Sequence, residues 1–120
     1  MVSKAEAKYI RMSARKIRLV TDLIKGKSVE EAGFILDSVN KGAGVPVKKV
    51  LMSAFANANF NKQEKFLAKD LFVSRVTADG GPMLRRYRAM TMGRAGTIRH
   101  RTAHIRVELD TAAPAVAKEK

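Results

Sequence analysis

The chain has 120 residues, 46% of them hydrophobic, with no Trp, no Cys and a formal net charge of +13. That length suits one domain with its own core, and zero cysteines exclude a disulfide framework, a thiol nucleophile and a cysteine zinc site. The first 27 residues carry eight Lys or Arg and no apolar run fit for a signal peptide, and no 18-residue apolar stretch exists, so no membrane partner is expected.

Residues 4–11 alternate, with Ala5, Ala7 and Tyr9 on one face and Lys4, Glu6 and Lys8 on the other, and read as a short strand. Ser13 is a good N-cap for a helix over 14–25. Ile17, Val20 and Ile24 form its apolar stripe, Leu19 and Leu23 widen it, and Gly26 is placed to end it. Arg15, Lys16 and Arg18 put three cations in its first two turns, against the sign of the helix dipole. That local cost points to an external anion. Ser28 and Glu31 make a capping box for a second helix using Ala32, Ile35, Leu36 and Val39. Residues 28–40 hold Glu30, Glu31 and Asp37 and no basic residue, so this segment is expected to face away from any polyanion. Pro46 suits the first turn of a third helix, whose Val47, Val50, Leu51, Ala54 and Ala58 recur at helical spacing, with Phe55 flanking them.

A polar connection follows over 61–69, and 71–78 reads as a strand from its β-branched and aromatic content. Gly80-Gly81-Pro82 then punctuates the chain. Between residues 83 and 106 lie seven of the eleven arginines, and no acid interrupts the sequence between Asp79 and Glu108. Such a run repels itself and suits a dense polyanion, of which nucleic acid phosphate is the commonest. It ends in a strand, because Ala103, Ile105, Val107 and Leu109 alternate with His104, Arg106 and Glu108. A basic stretch anchored at both ends describes a hairpin rather than a tail. The order is strand, three helices, two strands. The hairpin reaches beyond the sheet by about ten residues in each strand, on the order of 30 Å. One domain over 1–110, with the arm at about 82–102 and a loose tail over 111–120, is expected.

No catalytic constellation is visible. His100 and His104 share a strand face but lack further ligands, so neither metal nor cofactor is expected. Met90 and Met92, with Met83, put apolar side chains near the hairpin end; they pack either on each other or on a surface outside the domain. A helix-turn-helix over 14–39 is the alternative, but its second helix would bring Glu30, Glu31 and Asp37 to DNA.

Tyr9-Ile10-Arg11-Met12-Ser13-Ala14-Arg15-Lys16-Ile17-Arg18-Leu19-Val20 and then 23–32 resemble the opening of the large-subunit ribosomal protein L twenty-two family. Residues 49–54 with Ala56-Asn57-Ala58 match its long helix. Gly81-Pro82, Arg85-Arg86, Gly93-Arg94-Ala95, Ile98, Arg101-Thr102 and His104-Ile105 match its hairpin and last strand. The resemblance implies an α+β fold, three helices packed on a small three-stranded antiparallel sheet with a long extended β-hairpin arm. It implies a cytoplasmic, non-enzymatic constituent of the large ribosomal subunit that binds its RNA and supports its assembly. The hairpin would line the nascent-peptide exit tunnel near ribosomal protein L four, with the nascent peptide in transit. The charge pattern and this resemblance together give the expected RNA-binding residues: Lys8, Arg11, Arg15, Lys16, Arg18, Lys25, Lys48, Lys49, Arg85, Arg86, Arg88, Arg94, Arg99, Arg101 and His104. The expected tunnel-lining tip is Leu84, Arg85, Arg88, Ala89, Met90, Thr91 and Met92. Where the family commonly has Pro-Arg-Ala-Lys or Pro-Arg-Ala-Arg, this chain has Ala89-Met90-Thr91-Met92, so two expected cations are methionines.

Overall fold

A computed structural model describes residues 2–60 and 66–111. The elements run β1 (Ser3–Ile10), α1 (Ala14–Ile24), α2 (Val29–Ser38), α3 (Gly44–Asn59), β2 (Phe72–Gly80), β3 (Leu84–Ala89), β4 (Ala95–His100) and β5 (Ala103–Asp110), with a single 3₁₀ turn at Thr91–Gly93 between β3 and β4. β1, β5 and β2 form an antiparallel sheet in that order, and β3 pairs with β4 as a separate two-stranded ribbon. The expected α+β class holds, and each of the two expected long strands is broken in two. The polar connection falls largely at 61–65, and the expected tail largely at 112–120; both lie outside the described residues.

β5 is the central strand, and its alternation is strict. Ala103, Ile105, Val107 and Leu109 are fully buried, while His104, Arg106, Glu108 and Asp110 occupy the opposite face. The helices cover the apolar face. Ile17, Val20 and Ile24 of α1, Ala32 and Leu36 of α2, and Val47, Val50, Leu51, Ala54 and Ala58 of α3 meet Val73, Ile105 and Val107 there. Ile35 is only half-buried at the edge of this core. Ser3 and Asn57 tie α3 to β1. The Ser3 hydroxyl donates to the Ala54 carbonyl at 2.7 Å, and the Asn57 amide donates to the Lys4 carbonyl at 2.9 Å.

The predicted cap residues sit at the helix ends, and of the capping box only the Ser28 half forms, since the Glu31 carboxylate takes no return bond from the Ser28 N–H. The Ser28 hydroxyl accepts the Glu31 amide N–H at 3.2 Å. Gly26 follows α1 with φ 76°, and its N–H donates to the Val73 carbonyl at 3.1 Å, so the helix end is stitched directly to β2. Two expectations need correction. Leu19 and Leu23 do not widen the buried stripe of α1; they are 56% and 45% exposed, and Thr21 is buried instead. Tyr9 does not share a buried face with Ala5. Between the pairs Ala7–Ile105 and Ile10–Ala103, Lys8 and Tyr9 stand opposite the single residue His104. This bulge gives Tyr9 a φ of 60° and turns its ring outward.

The body and ribbon together measure 65 × 34 × 23 Å. A radius of gyration of 17.4 Å exceeds the roughly 13–14 Å of a compact chain this long. The excess is the ribbon. Its ladder has six pairs, from Leu84–His100 to Ala89–Ala95, so the paired arm spans about 20 Å rather than 30 Å.

Candidate nucleic-acid interface

The arm leaves the sheet through a bent root. Beyond the Gly80–Ala103 pair, residues 81, 82 and 83 on one side face 101 and 102 on the other before pairing resumes at Leu84–His100. Three against two is a one-residue offset, which twists a ribbon, and Pro82 has no N–H for the ladder. The Gly81 N–H donates to the Thr102 carbonyl at 2.9 Å, and the buried Thr102 hydroxyl donates back to the Pro82 carbonyl at 2.6 Å. Gly81 permits this closeness, since a Cβ there would stand 2.6 Å from Thr102 Oγ1 and 3.0 Å from His104 Cε1.

Three stretches of chain bring cations to this root. The turn after β1 supplies Arg11, the first turns of α1 supply Arg15, Lys16 and Arg18, and the turn between β4 and β5, with the end of β4, supplies Arg99 and Arg101. α1 begins there because the Ser13 hydroxyl accepts the Lys16 amide N–H at 3.4 Å. No carboxylate lies in its first turn, so its positive dipole end adds to the side-chain charge. Two clefts open at the root and share Ser13, Arg101 and Thr102. One, of about 480 Å³, has Arg11, Lys16, Arg99 and His100 in its wall; the other, of about 510 Å³, has Arg15 and Arg18. No carboxylate lines either cleft. Arg18 is held in place by its Nε, which donates to the Ala78 carbonyl at 3.0 Å.

The arm extends this charge outward. Arg86 and Arg88 lie on one face, and Arg85 lies directly opposite Arg99 on the other. Arg94 follows the end turn. Six of the seven arginines between residues 83 and 106 have no carboxylate partner among the described residues. The seventh, Arg106, is 3.7 Å from both Glu6 and Glu108 on the open face of the sheet. At the end of the arm, the Met90 side chain folds across Gly96, where any Cβ would collide with its sulfur. Met92 points into solvent, 92% exposed with φ 62°. The two methionines therefore part company: one covers the ribbon and the other is free.

The remaining expected residues are scattered. Lys25 pairs with Asp22 at 3.0 Å, and Lys48 pairs with Asp37. Lys8 and Lys49 are exposed, and neither lines the root clefts. His104 is engaged internally: its Nδ1 accepts the Tyr9 amide N–H at 3.1 Å, and the two rings meet edge to face at 5.1 Å. Leu84 and Arg85, expected at the tip, stand at the root end of β3 instead. Sequence reasoning missed the structural part of Thr102, for which no local signal exists, and the exposed Tyr87. Glu30 and Glu31 are exposed on α2, so a helix-turn-helix docking of this helix would meet DNA with the wrong charge.

Comparison with known proteins decides what kind of chain this is. The family described as Ribosomal protein L22p/L17e matches residues 5–110. The chain belongs to that family. It is 51% identical over 112 residues to the large ribosomal subunit protein uL22 of Syntrophus aciditrophicus, covering 92% of this chain and 98% of that one. It is 49% identical over 107 residues to large ribosomal subunit protein uL22 of Halothermothrix orenii, covering 89% and 93%. The same protein of Desulfitobacterium hafniense strain Y51 is 50% identical over 105 residues. The family match includes the whole arm, its root and all three helices, so the root lies within the region this chain shares with the family.

Proposed function

We propose that ribosomal RNA of the large subunit binds this chain chiefly through the two root clefts and the arginines of the arm. Membership of the family makes the chain a structural constituent of the large subunit in the cytoplasmic ribosome, not an enzyme. The observation that carries the RNA reading is the convergence of Arg11, Arg15, Lys16, Arg18, Arg99 and Arg101 from three separate stretches with no carboxylate among them. Folding gathers like charges at a cost in self-repulsion, and phosphate oxygens remove that cost while taking charge-assisted hydrogen bonds. Lys8, Lys49, Arg85, Arg86, Arg88 and Arg94 extend the contact, while Lys25, Lys48 and His104 contribute less because each already has a partner. Bridging separate RNA segments in this way supports subunit assembly.

The arm then runs along the nascent-peptide exit tunnel, with Ala89, Met90, Thr91 and Met92 toward the lumen and ribosomal protein L four nearby. A ribbon fixed at its root and free of carboxylates suits a passage walled by RNA. The chain has no cysteine, so Thr91→Cys creates a unique handle. In ribosomes carrying it, a thiol-reactive nascent chain stalled in the tunnel is expected to cross-link there. Cross-linking at Glu31→Cys but not at Thr91→Cys would reverse the orientation proposed.

A further inference from the structure

The two faces of the arm differ in a way that charge alone does not explain. One face carries Leu84, Arg86, Arg88 and Ile98, and Met90 lies over it at Gly96. The other carries three cross-strand pairs in order from root to tip: Arg85 with Arg99, Tyr87 with Thr97, and Ala89 with Ala95. The first face is partly covered by its own side chains. The second is left open around Tyr87, which is 73% exposed. Its hydroxyl has no hydrogen-bond partner among the described residues.

We propose, resting on the RNA-binding reading above, that this second face is a stacking site for an unpaired RNA base on the Tyr87 ring, with its phosphate held by Arg85 and Arg99. An aromatic ring normally repays its place by burial, and this one stands on a ribbon remote from the core. Arg85 and Arg99 are directly opposed like charges, an arrangement that destabilises a ladder by itself. An anion between them reverses that sign. Ala89 and Ala95 carry only methyl groups, so nothing overhangs the ring on the tip side. The ring and the cation pair are two residues apart along the strand, about 7 Å, a separation that lets one nucleotide engage both. Base-paired RNA keeps its bases within the stack, whereas an unpaired base is free to lie on an aromatic ring. A protein segment fits less well, because the carboxylate needed between the arginines would sit beside an exposed ring with no apolar wall around it. Stacking of this kind tolerates any base.

The test uses the full chain, with Tyr87→Phe and Tyr87→Ile as variants. Isoleucine keeps strand propensity but has no π-face, so the ribbon persists and only stacking is removed. Affinity is measured for a short oligouridine strand and for a short RNA duplex at one salt concentration. Tyr87→Phe should bind both like the parent. Tyr87→Ile should lose about five- to hundredfold on the single strand and little on the duplex, with an unchanged salt dependence. Ultraviolet cross-linking of the parent to oligouridine should map to Tyr87. Equal binding of the single strand by Tyr87→Ile and parent overturns the stacking site alone, provided the parent binds large-subunit RNA. Failure of the parent to bind that RNA at all overturns the underlying reading as well.

Discussion

Neutralising the larger part of the root cluster isolates its electrostatics from its folding. Arg11, Lys16, Arg99 and Arg101 are exposed and pair with no carboxylate among the described residues. Replacing all four with Gln therefore removes like-charge repulsion and no ion pair. Thermal stability should stay the same or rise slightly. Arg18 is left out deliberately, because its bond to the Ala78 carbonyl would confuse the result. Each phosphate contact contributes roughly −0.7 to −0.9 to the slope of log affinity against log salt. If the intact chain neutralises about six phosphates, its slope is on the order of −4 to −5. Removing four should bring it to about −2. The assay is fluorescence anisotropy with large-subunit ribosomal RNA fragments over a series of potassium chloride concentrations. A slope unchanged within one unit, with weaker binding at every salt, would mean that these side chains act by shape and not by charge. An intact chain with a slope near −1 would remove the electrostatic account altogether.

Three further outcomes are expected. Leu51→Ala removes a fully buried side chain of α3 and should cost roughly 2–5 kcal/mol in denaturant unfolding; a cost under half a kilocalorie would mean this face is not the core. Thr102→Val deletes the hydroxyl that holds the Pro82 carbonyl at 2.6 Å and should cost about 1 kcal/mol, with faster amide exchange in the arm than in β5; equal acceleration in both would show that the root does not govern the arm separately. In the free protein the amides of residues 84–100 should exchange fast, because the arginines repel one another and a two-stranded ribbon outside the sheet only marginally offsets its ordering entropy. On large-subunit RNA they should slow, and slow exchange without RNA would show a preformed arm.

Much of the body was legible because its signals are local. Ser28 with Glu31, Ser13 before a cationic turn, and the four alternating apolar residues of β5 each act within a few positions. The errors arose where a remote partner decides. Tyr9 follows the strand alternation until a bulge opposite His104 breaks it, and nothing near Tyr9 announces that. Leu19 and Leu23 satisfy helical periodicity, yet α1 is covered on a narrower arc that admits Thr21 instead, whose hydroxyl donates to the Arg18 carbonyl at 3.3 Å. The arm was legible as a basic hairpin from its arginines and its strand ending. Its true ladder was shorter because Pro82 and Thr102 spend residues on the root. The clefts were not legible at all, since Arg11, Lys16 and Arg101 are adjacent only after the sheet has formed.

The distribution of carboxylates separates what the chain does for itself from what it leaves to a partner. On the body, Asp22, Asp37, Glu6 and Glu108 each lie beside a cation. Around Arg106 and Arg75 they neutralise the open face of the sheet. On the arm and its root no acid is offered, although a single Glu opposite Arg99 would relieve the ladder. Such a residue would stabilise the free ribbon and, on the RNA-binding reading proposed above, weaken its hold on phosphate by the same interaction. Arg85→Glu should therefore act in opposite directions on two measurements: amide exchange of the free arm should slow, and affinity for large-subunit RNA should fall, with a shallower salt slope. If Arg85→Glu slowed exchange and left RNA binding intact, the missing acids would have no bearing on binding, and the arm's charge would need another explanation.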